Sequence, residues 1–199
     1  MRKQIIVIHG GDTFDTYEEY IKFLKEWQID FEDYRNGQSD WKRTLGERLG
    51  DGFEVIMPNM PNKINAKYLE WKIWFEKFIP HFESEVVLVG HSLGGAFLAK
   101  YLSENKFPKR IRAVFLVAAV FDKDVEGYPL VSFSLPQNLD LQTDKIYLYH
   151  SKDDPVVPFA DLDKYKKKLK KSMGREFNDR GHFNQEEFPE LIQDIKNVF

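Results

Sequence analysis

The length, composition and charge of the chain exclude several classes of protein. Its 199 residues suit a single domain, include no cysteine, and carry 29 basic against 32 acidic side chains, for a net charge of −3. No disulfide scaffold is therefore possible, and neither a nucleic-acid partner nor an anionic membrane is indicated. The apolar runs are too short for a signal peptide or a membrane span, so we expect a soluble, cytoplasmic protein.

Short apolar runs alternate along the chain with patterns of helical spacing. This alternation predicts an α/β fold, with a mostly parallel sheet of about six strands and helices on both faces. We expect a single domain over residues 1–199, with a helical insertion at about 12–50 and no large cap domain. The predicted strands are 5–8, 53–57, 86–89, 113–119, 146–149 and 175–178, and the predicted helices include 17–27, 41–49, 68–79 and a last one beginning at the N-x-x-E pattern of 184–187.

The third predicted strand runs directly into a G-x-S-x-G motif, formed by Gly90, Ser92 and Gly94. Helical spacing resumes immediately afterwards, so the serine lies where a strand becomes a helix. Such a turn requires small residues on either side, and it exposes the hydroxyl at the positive end of the helix. The motif predicts that Ser92 is a nucleophile.

A serine nucleophile needs a histidine as its base, and five histidines are available. His91 would point away from its neighbour Ser92, and His81 is expected to be solvated. His9 and His150 each end a strand, where they suit a wall or a support of the site. His182 remains as the candidate base, on a loop after the last predicted strand.

The base in turn needs a carboxylate to orient it. Asp153 and Asp154 both lie in the loop after the fifth predicted strand, and the residues alone leave the choice between them open. Asp179 lies on the histidine's own loop, where capping that turn is the better interpretation. Backbone N–H groups of Leu93 and of Gly11, in the loop after the first strand, are the predicted oxyanion-hole donors.

The four segments HGG, GHSLGG, DDPVVP and DRGHFN, in this order along the chain, resemble the α/β-hydrolase superfamily. The stretch MPNMPNKINAKYLEWKIWFEKFIP, with SKDDPVVPF and GHFN, is similar to small serine hydrolases of the group that includes retinoblastoma-binding protein 9 and the bacterial YdeN proteins. The resemblance implies Ser92 as nucleophile and His182 as base. It also selects Asp154, because the superfamily's acid stands four residues before the proline of D-x-x-V-P.

The predicted function is hydrolysis of a small-acyl ester, or of a thioester or amide, through an acyl-Ser92 intermediate. His9, Tyr128 and Phe133 are candidate pocket residues. No cofactor and no metal is required, and the chain has no HExxH motif or cysteine cluster. The expected partner is a small-molecule ester or acyl substrate, and no protein partner is indicated. The alternatives are a protein-binding module on the same fold and an acyltransferase. The long insertion either covers the site as a partial lid or packs on the sheet.

Overall fold

The computed structural model describes residues 2–36, 40–121 and 130–199. Within these ranges the chain forms six strands and seven α-helices. The strands are β1 (Lys3–Ile8), β2 (Phe53–Ile56), β3 (Glu85–His91), β4 (Arg110–Val117), β5 (Ile146–Ser151) and β6 (Met173–Phe177). The helices are α1 (Tyr17–Glu26), α2 (Phe31–Asn36), α3 (Trp41–Leu49), α4 (Tyr68–Phe78), α5 (Leu93–Glu104), α6 (Ala160–Lys168) and α7 (Pro189–Val198).

The six strands form one parallel sheet in the order β2-β1-β3-β4-β5-β6, so the α/β fold with about six strands is confirmed. Successive strand residues face opposite sides. Ile6 and Ile8 belong to the core under α4, α5 and α6, whereas Ile5 and Val7 belong to the core under α3 and α7. Helices therefore cover both faces, and all the strand ends that precede helices meet at one edge.

Most predicted boundaries lie within two residues of those in the structure, and two differ by more. β4 begins at Arg110, three residues before the predicted start, because its first residues still pair with the edge of β3. The last helix begins at Pro189, so the predicted start at the N-x-x-E pattern of 184–187 is wrong. Proline suits the first turn of a helix, and Gln185 instead accepts a hydrogen bond from the backbone N–H of Trp41 at 2.9 Å.

The insertion between β1 and β2 behaves in two ways. α3 packs on the sheet through Trp41, Leu45 and Leu49, which are almost fully buried. α1 has no buried residue, although a Thr16 capping box defines its start. α3 is therefore part of the core. The prediction that the insertion covers the site remains open for α1. None of the helices in the described ranges is long and apolar enough to cross a membrane.

Candidate active site

Ser92 stands at a sharp turn between β3 and α5. Its backbone has φ 55° and ψ −123°, a conformation that side-chain-bearing residues rarely adopt, and its N–H donates to the carbonyl of Val117 at 2.9 Å. A Cβ at Gly90 would lie 2.6 Å from the Gly94 oxygen, and one at Gly94 would lie 2.3 Å from the Ile8 oxygen. Both glycines are therefore required by close backbone approach, as the motif predicts.

The loop that carries His182 crosses back over the sheet. His182 follows β6, which is separated from β3 by two other strands. Its carbonyl nevertheless accepts a hydrogen bond from His91 Nε2 at 2.8 Å, and the two imidazole centroids are 4.9 Å apart. Trp41 Nε1 holds the same loop by donating to the Phe183 carbonyl at 2.8 Å. The imidazole is thus brought to the end of β3, against His91, which directly precedes Ser92.

Asp154 contacts the ring of His182 with both carboxylate oxygens. His182 Nδ1 lies 2.9 Å from Oδ2 and 3.1 Å from Oδ1. The backbone N–H groups of Val156 and Val157 donate to the same Oδ1, at 2.8 and 3.0 Å, and the Asp154 side chain is only 1% exposed. A carboxylate fixed in this way assigns the proton to Nδ1 and leaves Nε2 as an acceptor.

Asp153 holds the backbone of the histidine loop. Its Oδ1 accepts from the Gly181 N–H at 3.0 Å and from the Ser151 hydroxyl, and Ser151 Oγ accepts from the Arg180 N–H at 3.0 Å. The bond from Ser151, followed by that from Gly181, lowers the pKa of Asp153. The two adjacent acids therefore have different contacts: Asp154 binds the imidazole of His182, and Asp153 binds the backbone of the loop that carries it.

Within the described residues, no hydrogen bond joins Ser92 Oγ to His182 Nε2. Hydrogen bonds between catalytic groups are often long when no substrate is bound, and they shorten in the reacting complex. The structure brings three of the predicted residues to one edge of the sheet, and it shows direct contact for the pair His182 and Asp154.

The loop after β1 runs directly past Ser92. A Cβ at Gly10 would lie 3.5 Å from Ser92 Oγ, and a Cβ at Gly11 would lie 2.4 Å from the Lys63 oxygen. Leu93 is the first residue of α5, and the first N–H groups of a helix have no acceptor within it. The backbone at position 10 thus lies beside Ser92, and Leu93 directly follows it. The oxyanion-hole role of Gly11 and Leu93 stays a prediction.

His9 is tied to backbone on both sides of its ring. Nε2 accepts from the Met60 N–H at 2.9 Å, so Nδ1 carries the proton and donates to the Gly10 carbonyl at 2.6 Å. Burial lowers the pKa of His9, which favours this neutral form. The ring therefore connects the loop after β2 to the loop after β1, and its role as a pocket residue stays a prediction.

The other two pocket candidates are placed differently. Phe133 is fully buried, with its ring centroid 5.2 Å from that of Trp71 and 5.8 Å from that of Tyr68. Its role as a pocket wall stays a prediction. Tyr128 lies outside the described residues.

Two further histidines near the site are buried and neutral. Burial, with the nearby charge of Lys42, lowers the pKa of His91 well below its ordinary value. Burial lowers the pKa of His150 to about 4, against the opposing charge of Asp154. His150 Nε2 has no hydrogen-bond partner among the described residues. Protonating either ring in the folded protein is therefore unfavourable.

The burial of His150 predicts a loss of stability in mild acid. Because the pKa of His150 is lower in the folded state, the unfolded chain binds the extra proton first, and stability falls as the pH drops from about 6.5 towards 4. Between pH 7 and pH 5 this group is expected to remove about 2 kcal/mol from the free energy of unfolding. Urea unfolding at the two pH values measures the change.

The control for this prediction is the exposed His81. His150→Asn is expected to reduce the difference in stability between the two pH values by that amount, and His81→Asn is expected to leave it unchanged. Equal pH dependence in the native protein and in His150→Asn would contradict the assignment, whatever the effect of the substitution at pH 7.

The chain is similar to known proteins in sequence and in fold. The chain is 27% identical over 172 residues to the serine hydrolase RBBP9 of Rattus norvegicus, covering 82% of this chain and 87% of that protein. It is 25% identical over 167 residues to the putative hydrolase YdeN of Bacillus subtilis, covering 80% and 75%. The crystal structure of the B. subtilis ydeN gene product superposes with a TM-score of 0.73 at 20% identity, covering 99% of this chain and 98% of that one. A family model described as serine hydrolase matches residues 33–194, and the chain belongs to this family.

Proposed function

We propose that the protein hydrolyses small-acyl esters through a covalent acyl-Ser92 intermediate. One observation carries the proposal: the loop after β6 returns across the sheet, so that an imidazole held by the buried Asp154 lies against His91, the residue next to Ser92. This contact supports an arrangement with Ser92 as nucleophile, His182 as base and Asp154 as orienting acid, which is the order that acyl transfer requires. Membership of the serine hydrolase family supports the same reaction class.

The tautomer of His182 determines where the hydroxyl proton of Ser92 is transferred. Asp154 keeps the proton of His182 on Nδ1, so Nε2 accepts the hydroxyl proton as Ser92 Oγ attacks the ester carbonyl carbon. The tetrahedral intermediate collapses by breaking the bond to the leaving alcohol, which takes that proton from Nε2. Water then attacks the acyl carbonyl carbon as His182 Nε2 accepts one of its protons. The second tetrahedral intermediate breaks its bond to Ser92 Oγ, which takes that proton back from Nε2, and the carboxylic acid is released.

The negative oxygen of each tetrahedral intermediate needs donors that are already in place. We assign this role to the backbone N–H groups of Gly11, in the loop that passes Ser92, and of Leu93, the residue after it. His9 supports the first of them, because its ring fixes the Gly10 carbonyl and the Met60 N–H. A donor of this kind is worth about 100- to 1000-fold in kcat in serine hydrolases studied by mutation.

Labelling with a fluorophosphonate tests the proposal. The native protein is expected to form one adduct per chain, located on Ser92 by peptide mass spectrometry, and Ser92→Ala is expected to form none. Ser103→Ala is the matched control, because this serine lies in the same helix, α5. Among the described residues its hydroxyl donates to the carbonyls of Ala99 and Asp140 and accepts from the Asp140 N–H.

A folded native protein that stays unlabelled would contradict the proposal and favour the protein-binding module. If labelling succeeds, a p-nitrophenyl ester assay in water with an added alcohol separates hydrolysis from acyl transfer. Hydrolysis predicts that the free acid is the main product at every alcohol concentration. The cytoplasmic location expected from the sequence stays a prediction.

A further inference from the structure

Asp12 is a carboxylate in the candidate site that the reaction above does not use. It directly follows Gly11, in the loop that passes Ser92. Its N–H donates to the Lys63 carbonyl at 2.8 Å, and its own carbonyl accepts from the Ala66 N–H at 2.7 Å. The backbone of Asp12 is therefore fixed on both sides, two residues after Gly10, which lies beside Ser92.

The carboxylate of Asp12 forms no hydrogen bond and no ion pair within the described residues, although the charge of His182 acts on it. The side chain is partly buried. Two nearby lysines are engaged elsewhere, since Lys67 donates to the Phe14 carbonyl and Lys42 pairs with Asp40 at 2.7 Å. Lys63 is exposed. A carboxylate removed from water without a partner is unfavourable unless a cation arrives with the ligand.

The electrostatic surroundings agree with this account. Burial raises the pKa of Asp12, and the charge of His182 opposes that shift. A bound cation would offset the cost of burial and favour the ionised carboxylate.

We propose that Asp12 makes the enzyme selective for esters that carry a positively charged amine close to the scissile carbonyl. The inference rests on the proposed esterase function and narrows its substrate class. The cation can belong to the acyl group or to the alcohol, because both lie near the loop that holds Gly11. In either case the carboxylate binds the substrate and takes no part in proton transfer.

Two pairs of substrates of equal shape test the selectivity. The acyl arm compares the phenyl esters of 4-(trimethylammonio)butyrate and 5,5-dimethylhexanoate, and the alcohol arm compares acetylcholine with 3,3-dimethylbutyl acetate. Within each pair only the charge differs. The native enzyme is expected to favour the cationic member in one arm by about 10-fold in kcat/KM at low salt. The arm that shows the preference identifies the side of the ester that carries the cation.

Asp12→Asn is expected to abolish this preference while changing kcat/KM for the neutral ester by less than about 3-fold. Asp15→Asn is the matched control, because it removes the same charge from an exposed position on the same loop, and it should keep the preference. Asp12→Glu, which retains the charge, should keep a preference of the same sign.

Two results would overturn the inference. The first is a native enzyme without a charge preference in either arm. The second is an equal loss for cationic and neutral esters in Asp12→Asn, which would mean that Asp12 acts only on His182. Fluorophosphonate labelling of Ser92 in the native protein and in Asp12→Asn keeps these results separate from failure of the proposed function, because labelling requires no cationic group.

Discussion

Asp154→Asn is expected to lower kcat by about 10⁴-fold with little change in KM. Asparagine keeps the shape of the side chain, but its amide lacks the charge that stabilises the imidazolium and can turn an N–H towards His182 Nδ1. The ring would then present the wrong tautomer, with no acceptor at Nε2 for the Ser92 proton. Steady-state hydrolysis of a p-nitrophenyl ester measures the loss, and thermal unfolding verifies that the variant is folded.

The neighbouring acid supplies the control. Asp153 is exposed and contacts only the Ser151 hydroxyl and the loop backbone, where the oxygen of an asparagine can still accept from the Gly181 N–H. Asp153→Asn is therefore expected to cost no more than about 10-fold in kcat. If Asp153→Asn abolished turnover and Asp154→Asn did not, the assignment of the two acids would be reversed.

Gly94→Ala is expected to destabilise the fold by about 3 kcal/mol or more and to reduce turnover as well. The added Cβ would lie 2.3 Å from the Ile8 oxygen and 2.5 Å from the His9 oxygen, both of them backbone atoms at the end of β1. Relief of this overlap must separate α5 from β1, and that movement displaces the Gly10 and Gly11 loop from Ser92. Chemical unfolding and fluorophosphonate labelling rate measure the two effects.

Gly46→Ala is the matched control for this substitution. Gly46 lies inside α3, and its Cβ would be 3.6 Å from the side chain of Val55, which is an ordinary contact. Alanine is favoured over glycine within a helix, so a gain of roughly 0.5–1 kcal/mol is expected. Equal destabilisation by both substitutions would show that close approach at the turn is not the cause.

The sheet could be predicted because its strands are buried on both faces. Continuous apolar runs such as 86–89 and 146–149 stand out from the polar segments around them, and their alternation with helical spacing fixes the fold class. The start of the last helix could not be predicted in the same way. The N-x-x-E pattern at 184–187 is a sound local signal, but the segment is held by Trp41 and by the burial of Phe183 and Phe188, and such long-range contacts leave no local pattern.

The site shows the same division between local and distant information. Ser92 is marked by glycines within two residues of it, so the sequence reveals it directly. The separate contacts of Asp153 and Asp154 depend on the position of the histidine loop, which lies 28 residues later in the chain. The residues alone therefore could not distinguish the two acids. Asp12 gave no signal in the sequence, since a lone aspartate after two glycines is also typical of an ordinary turn.

The hydrogen bond between Trp41 and the Phe183 carbonyl links the insertion to the loop of the candidate base. The two residues are 142 positions apart in the chain. An exchange of the insertion between relatives would therefore shift the imidazole even if every reacting group were retained. We therefore expect α3 and the histidine loop to be transferable only together when segments are exchanged in protein engineering.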